Sequence, residues 1–261
     1  MFETIRIETD ARGVATLWLA RAAKHNALDA QMIAELTRAI GKLGADPAVR
    51  VVVLAAEGPS FCAGGDLRWM QANITASPAE RAASARTLAH MLAALNDCPK
   101  PVIGRIHGNA FGGGIGMISV CDVAIAVPEA RFGLTETKLG LTPATISPYV
   151  VARMSPAKAR AVFMSSRLFS AEEAVGLNLL SRVVPAADLD AAIEAEVTPY
   201  LACAPGAVAD AKALVRMLTP GLDSALLERT IVALATRWES DEAREGLEAF
   251  FARRAPHWLV N

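Results

Sequence analysis

Two short stretches, AGGD at residues 63–66 and GGGIG at residues 112–116, strip side chains from the backbone where a strand is expected to end and a helix to begin. Glycine has no Cβ, so a ligand's carbonyl oxygen can come within hydrogen-bonding distance of the peptide N–H. The first N–H groups of a helix have no partner inside it, and the helix dipole favours negative charge there. Two such N–H groups converging on one oxygen form an oxyanion hole, where loss of one donor costs about 2.7–4 kcal/mol of transition-state stabilisation. The same glycines also suit close packing or tight turns, and spacing alone leaves both readings open.

Other chemistries fail on spacing. The run Gly112, Gly113, Gly114, Gly116 does not fit G-x-G-x-x-G, because Met117 holds the last position, and no Lys-Ser/Thr follows for a phosphate loop. GPSFC at residues 58–62 ends in Cys62, so it is not a G-x-S-x-G nucleophile turn. His25, His90, His107 and His257 are scattered and read as structural or surface residues. Cys62, Cys98, Cys121 and Cys203 show neither Cys-x-x-Cys nor a His at ligand spacing. No metal site or disulfide framework is expected; the thiols read as buried, in a reducing compartment.

The elements that must position the glycine turns alternate. TIRIETD and GVATLWLA suggest an opening hairpin; Asp29 is a candidate N-cap for a helix with Met32, Ile33, Leu36, Ile40 and Leu43 on one face. VRVVVLAAEG reads as a buried strand, and Ser77-Pro78-Ala79-Glu80 as a capping signal for a helix to about Asn96. KPVIGRIHG and DVAIAVP read as strands around a short buried helix at GGGIGMISVC. From Ser170 onward the chain reads as mainly helix, broken at Pro185, Pro205 and Pro220, with the change of character near residue 195 and no disordered linker. This is an α/β pattern.

At 261 residues, with 53% hydrophobic content, the chain can bury a sizeable core. A net charge of -1 without a basic stripe argues against nucleic acid as a partner. The acidic start MFETIRIETD is unlike a signal peptide, and Asp122 stops the apolar run at residues 110–121 well short of a bilayer span. No membrane partner and a cytoplasmic location are expected. The mean hydropathy of +0.32 suggests that apolar surface is also hidden between subunits.

Five blocks, KHNALD, GPSFCAGGDLRWM, GNAFGGGIGMISVCDVAIA, ARFGLTETKLGL and EGLEAFFARRAPHW, run in order along essentially the whole chain. Together they resemble the crotonase family, the enoyl-CoA hydratase and isomerase superfamily. The resemblance implies an α/β, ClpP/crotonase-like fold of repeated ββα units with a C-terminal helical trimerisation region. It divides the chain into a core with the acyl-CoA site over residues 1–195 and a helical region over 196–261 for oligomerisation and CoA contacts. An acyl-CoA thioester is the implied substrate, with coenzyme A as part of it and no further cofactor, and the implied assembly is a homotrimer or hexamer.

By position in these blocks, the N–H groups of Gly65 and Gly113 should form the oxyanion hole and Glu136 should carry protons. Lys24, Ala27, Ala63, Asp66 and Leu67 should contact CoA, and Arg253 should reach the CoA phosphate of a neighbouring subunit. Gly116 and Trp69 should line the acyl pocket. The family's hydratases use two glutamates, and Gly116 stands where the first should be. One carboxylate suffices to move a proton between Cα and Cγ over an enolate, so Glu136 alone fits isomerisation at once. Hydration remains open if Glu136 handles both protons through one water. The segments around Glu136 look most like methylglutaconyl-CoA and related branched-chain hydratases, which favours hydration; Lys138 or Arg68 could supply the cation for a distal carboxylate. A catalytically silent acyl-CoA binder is the third reading.

Overall fold

The opening hairpin forms as expected: β1 (Ile5–Thr9) and β2 (Val14–Leu19) pair antiparallel with Ile5 opposite Leu19, in a computed structural model that describes residues 2–219 and 223–259. The Asp29 side chain accepts the Met32 N–H and opens α1 (Ala30–Ala45), which buries the apolar face predicted for it. Glu35 is buried on that face too. Its carboxylate accepts the Thr4 hydroxyl at 2.6 Å and the N–H groups of Thr4 and Glu3 at 2.9 and 3.0 Å.

The pattern then repeats. β3 (Val51–Ala56) is buried throughout and is followed by β4 (Ser60–Cys62) and α2 (Leu67–Thr75). Ser77 and Glu80 close a reciprocal capping box at the start of α3 (Pro78–Asp97). Next come β5 (Val102–Ile106), β6 (Asn109–Phe111) and α4 (Gly113–Ser119), then β7 (Val123–Ala126), β8 (Arg131–Gly133) and a 3₁₀ turn at Glu136–Leu139. Two strands and a helical segment recur four times, which is the ββα repeat that the family resemblance implies.

Helices α5 (Ser147–Met154) and α6 (Pro156–Phe163) lead to β9 (Phe169–Ser170), α7 (Ala171–Gly176) and β10 (Arg182–Val183). The chain ends in α8 (Leu189–Leu201), α9 (Pro205–Leu218), α10 (Ser224–Trp238) and α11 (Asp241–Phe251). The stretch after Ser170 is mainly helical as expected, with the two-residue β10 joining β7 in the main sheet. Two expectations change here. Pro205 opens α9 instead of breaking a helix, since proline at the first helical position forfeits only an N–H that lacks a helical partner anyway. Cys203 is exposed, because it stands in the turn between α8 and α9, whereas the other three thiols are buried. Residue 195 lies inside α8; Pro220 lies outside the described residues.

After the opening hairpin, which stays within one sheet, the repeats deal their strands alternately to two sheets, ordered β1-β2-β3-β5-β7-β10 and β4-β6-β8-β9. In the smaller sheet β4, β6 and β8 are neighbours and parallel. Their C-terminal ends therefore lie side by side.

Candidate active site

That shared edge gathers the chemistry. β4 ends at Cys62, β6 at Phe111 and β8 at Gly133, and within three residues of each end stand Gly65, Gly113 and Glu136. All three line one cavity of about 60 Å³, together with Trp69.

Gly65 sits in a one-residue parallel bridge to Leu28. The Leu28 N–H donates to the Gly64 carbonyl at 2.7 Å and the Asp66 N–H to the Leu28 carbonyl at 2.8 Å. In such a bridge the central residue's own N–H points away from the partner strand. The Gly65 N–H therefore turns from Leu28, and it has no protein acceptor among the described residues. Gly113 is the first residue of α4, and its N–H likewise has no acceptor among them. Gly112, at φ 47°, is held in a conformation that suits glycine, and a Cβ there would lie 2.8 Å from Glu136 Oε1. The carboxyl thus rests on the turn that presents the Gly113 N–H.

The loop before α1 fastens this arrangement. Asn26, fully buried, donates to the carbonyls of Glu57 and Ser60 at 2.8 and 2.9 Å and accepts the Arg21 N–H at 2.9 Å. The Arg21 guanidinium bonds Asp29 at 2.9 Å and both Asp66 and the Ala27 carbonyl at 2.8 Å. Asp66 also caps α2, accepting the N–H groups of Arg68 and Trp69.

Burial pushes the Glu136 carboxyl up to about 7, only partly offset by its own backbone N–H. Its Oε2 is buried without a hydrogen-bond partner, as is Trp238 Nε1. The carboxyl is thus poised to exchange protons near neutral pH. Its 3₁₀ turn is shaped from behind by α11. A Cβ on Gly140 (φ 67°) would lie 2.2 Å from the Glu242 carbonyl oxygen, and one on Gly246 2.4 Å from the Leu139 carbonyl oxygen, so the two backbones touch directly.

The other expected positions divide. Ala27, Ala63, Asp66 and Leu67 flank the Gly65 turn, while Lys24 and Arg253 are exposed; none of these six lines the cavity. Lys138 and Arg68 are exposed and do not line it either. Gly116 is a correction: it is not a lining residue, because Ile146 stands in front of it, and a Cβ there would lie 2.6 Å from Ile146 Cγ2. The side chain that faces the cavity in that direction is Ile146, and a glutamate at position 116 would have to displace it. Glu136 is the one carboxylate among the described lining residues.

Sequence reasoning missed Leu28, Met70, Leu88, Leu234, Trp238 and the run 141–146, which complete the wall. Trp238, at the end of α10, meets Trp69 edge-to-face with ring centroids 5.6 Å apart. A larger cavity of about 520 Å³ lies among α5, α8 and α9, but its charged groups are engaged. Lys212 binds Asp122 at 2.7 Å, and Arg153 donates to the carbonyls of Cys121 and Asp122.

The family model for enoyl-CoA hydratase/isomerase matches residues 9–261. The chain is 34% identical to "Probable enoyl-CoA hydratase echA8" of Mycobacterium bovis, with 98% of both chains covered. It superposes on the crystal structure of an enoyl-CoA hydratase from Mycobacterium avium with a TM-score of 0.85 at 33% identity, covering 99% of this chain and 100% of that one. For an enoyl-CoA hydratase from Shewanella pealeana the TM-score is 0.81 at 35% identity, covering 99% and 97%. Among the described residues there is no cluster of His, Cys, Asp and Glu that could hold a metal, and no helix long and apolar enough to cross a membrane.

Proposed function

The chain belongs to the enoyl-CoA hydratase/isomerase family, and on that premise we propose that it adds water to a 2-enoyl-CoA thioester, with coenzyme A as part of the substrate. The observation that carries this reading is the Glu136 carboxyl, poised near pH 7 and facing the same cavity as two free N–H groups. Glu136 takes a proton from water as the hydroxide attacks Cβ. The electrons move onto the thioester oxygen, held by the N–H groups of Gly65 and Gly113, and Glu136 returns its proton to Cα. The sum is one water added and nothing else consumed. Lys24, Ala27, Ala63, Asp66, Leu67 and Arg253 are proposed to hold CoA; the Asp66 carboxylate is already committed to Arg21 and the α2 cap, so its contribution would be through the backbone.

A methylglutaconyl group would bring a distal carboxylate, and no lysine, arginine or histidine is among the lining residues. An uncharged acyl group, straight or branched, fits better. Isomerisation is the second reading, favoured by the single lining carboxylate. Incubation with 2-enoyl- and 3-enoyl-CoA followed by product mass separates the two: hydration adds one water and isomerisation adds none. Saturable binding without turnover of either would identify a silent binder and refute both.

Assembly as a trimer or hexamer is part of the proposal. No residue of α9 is fully buried, although Leu214, Val215, Met217 and Leu218 are apolar. Sedimentation as a stable monomer at micromolar concentration would contradict it.

A further inference from the structure

We infer that the Trp69–Trp238 pair caps the acyl end of the cavity and limits this protein to short, uncharged acyl chains, an inference that rests on the acyl-CoA reading above. A water occupies at least about 10–15 Å³ of such space, so a cavity of about 60 Å³ accepts about four to six water-sized groups. The remaining wall, including Met70, Leu88, Ile146 and Leu234, is mainly apolar, with Thr142 and Thr145 its polar side chains. A long chain must therefore displace a wall, and the two indoles are the largest part of it.

That wall is braced. Trp69 lies in the first turn of α2, directly beyond the Gly65 turn, and Trp238 closes α10 at 2% exposure. Between them, the buried Arg81 guanidinium binds the carbonyls of Ile74 and Ala76 at 3.2 and 2.7 Å, at the end of α2, and Glu239 at 2.7 Å, the residue after Trp238. One side chain ties both tryptophan-bearing helices, so moving either indole strains the hydrogen bonds of a buried guanidinium. Side chains in such a core do not yield to extra methylenes without backbone shifts.

Affinity for saturated acyl-CoAs tests the size limit without requiring turnover. Calorimetric titration of the full chain is expected to show butyryl-CoA bound at least about tenfold more tightly than decanoyl-CoA, and Trp238→Leu to reduce that preference to about threefold or less. If Trp238→Leu fails to fold, as judged by circular dichroism, Trp69→Leu at the half-buried partner carries the same test. Equal affinities in the unaltered protein, or a preference unchanged in the folded variants, overturns the inference. Hydration of 2-butenoyl-CoA is scored separately. No turnover with the expected affinity preference would sink the hydratase reading and leave the size limit standing. Turnover of 2-decenoyl-CoA as fast as 2-butenoyl-CoA would sink the size limit alone.

Discussion

Glu35 and Glu136 are two carboxylates withdrawn from water in one molecule, and their environments push them in opposite directions. At Glu35 burial pushes upward, but the Thr4 hydroxyl and the N–H groups of Thr4 and Glu3 hold the carboxyl below its ordinary range. At Glu136 burial is nearly unopposed and the carboxyl rises to about 7. Burial alone does not make a proton carrier; what matters is whether donors are supplied to the anion. The first glutamate is held as the anion and ties residues 3 and 4 to α1. The second is left short of partners, at a cost of about 1–3 kcal/mol for an unsatisfied buried group, in the place where a substrate can complete it.

The largest expected effect would break this contrast if it failed. Glu136→Gln should lower turnover by about 10²- to 10⁴-fold with thioester affinity little changed; steady-state rates within twofold of the unaltered protein would remove Glu136 from the mechanism. Next, Gly113→Pro deletes one of the two donors and should lower turnover by about 10²- to 10³-fold. A folded variant with full activity would refute the oxyanion hole. The pH profile sharpens the contrast. Water activation needs the ionised carboxyl, so kcat/KM should fall about tenfold for each pH unit below about 7 and level off above it.

Stability should separate the two glutamates by sign. The native Glu136 binds its proton more tightly than the unfolded chain does, so the protein loses up to about 3 kcal/mol as pH rises from 4.5 through 7. Glu136→Gln should consequently raise Tm at pH 8 more than at pH 5. Glu35 behaves the other way: its contribution is present above the unfolded value of 4.5 and is lost as pH falls through the lower native value. Glu35→Gln should cost about 1–3 kcal/mol at pH 7 by chemical denaturation and leave turnover within about twofold.

Most of this frame was legible locally. The Asp29 cap, the Ser77–Glu80 box and the buried strand Val51–Ala56 follow from residues close in the chain, and they form as read. Gly65, Gly113 and Trp69 could be found for the same reason, since each is embedded in a distinctive block, as Glu136 is. Trp238 and Leu234 could not, because an apolar stripe in a helix looks the same whether it meets a core or a cavity, and the residues that share their wall are remote in the chain. Gly116 misled for a related reason. Helical spacing correctly puts it one turn beyond Gly113, but only tertiary packing decides that Ile146 comes between that face and the cavity.

The bare contact of Gly140 and Gly246 with the opposing backbones also has a bearing on how the protein is made. The ribosome releases Gly65, Gly113 and Glu136 well before it releases α11, which fits against the carboxylate's turn with no side chain between them. Synthesis thus sets a timetable in which the two glycine turns and the buried carboxyl emerge first and the brace last. A nascent chain still lacking α11 carries Gly65, Gly113 and Glu136 and has not yet fixed the position of one of them.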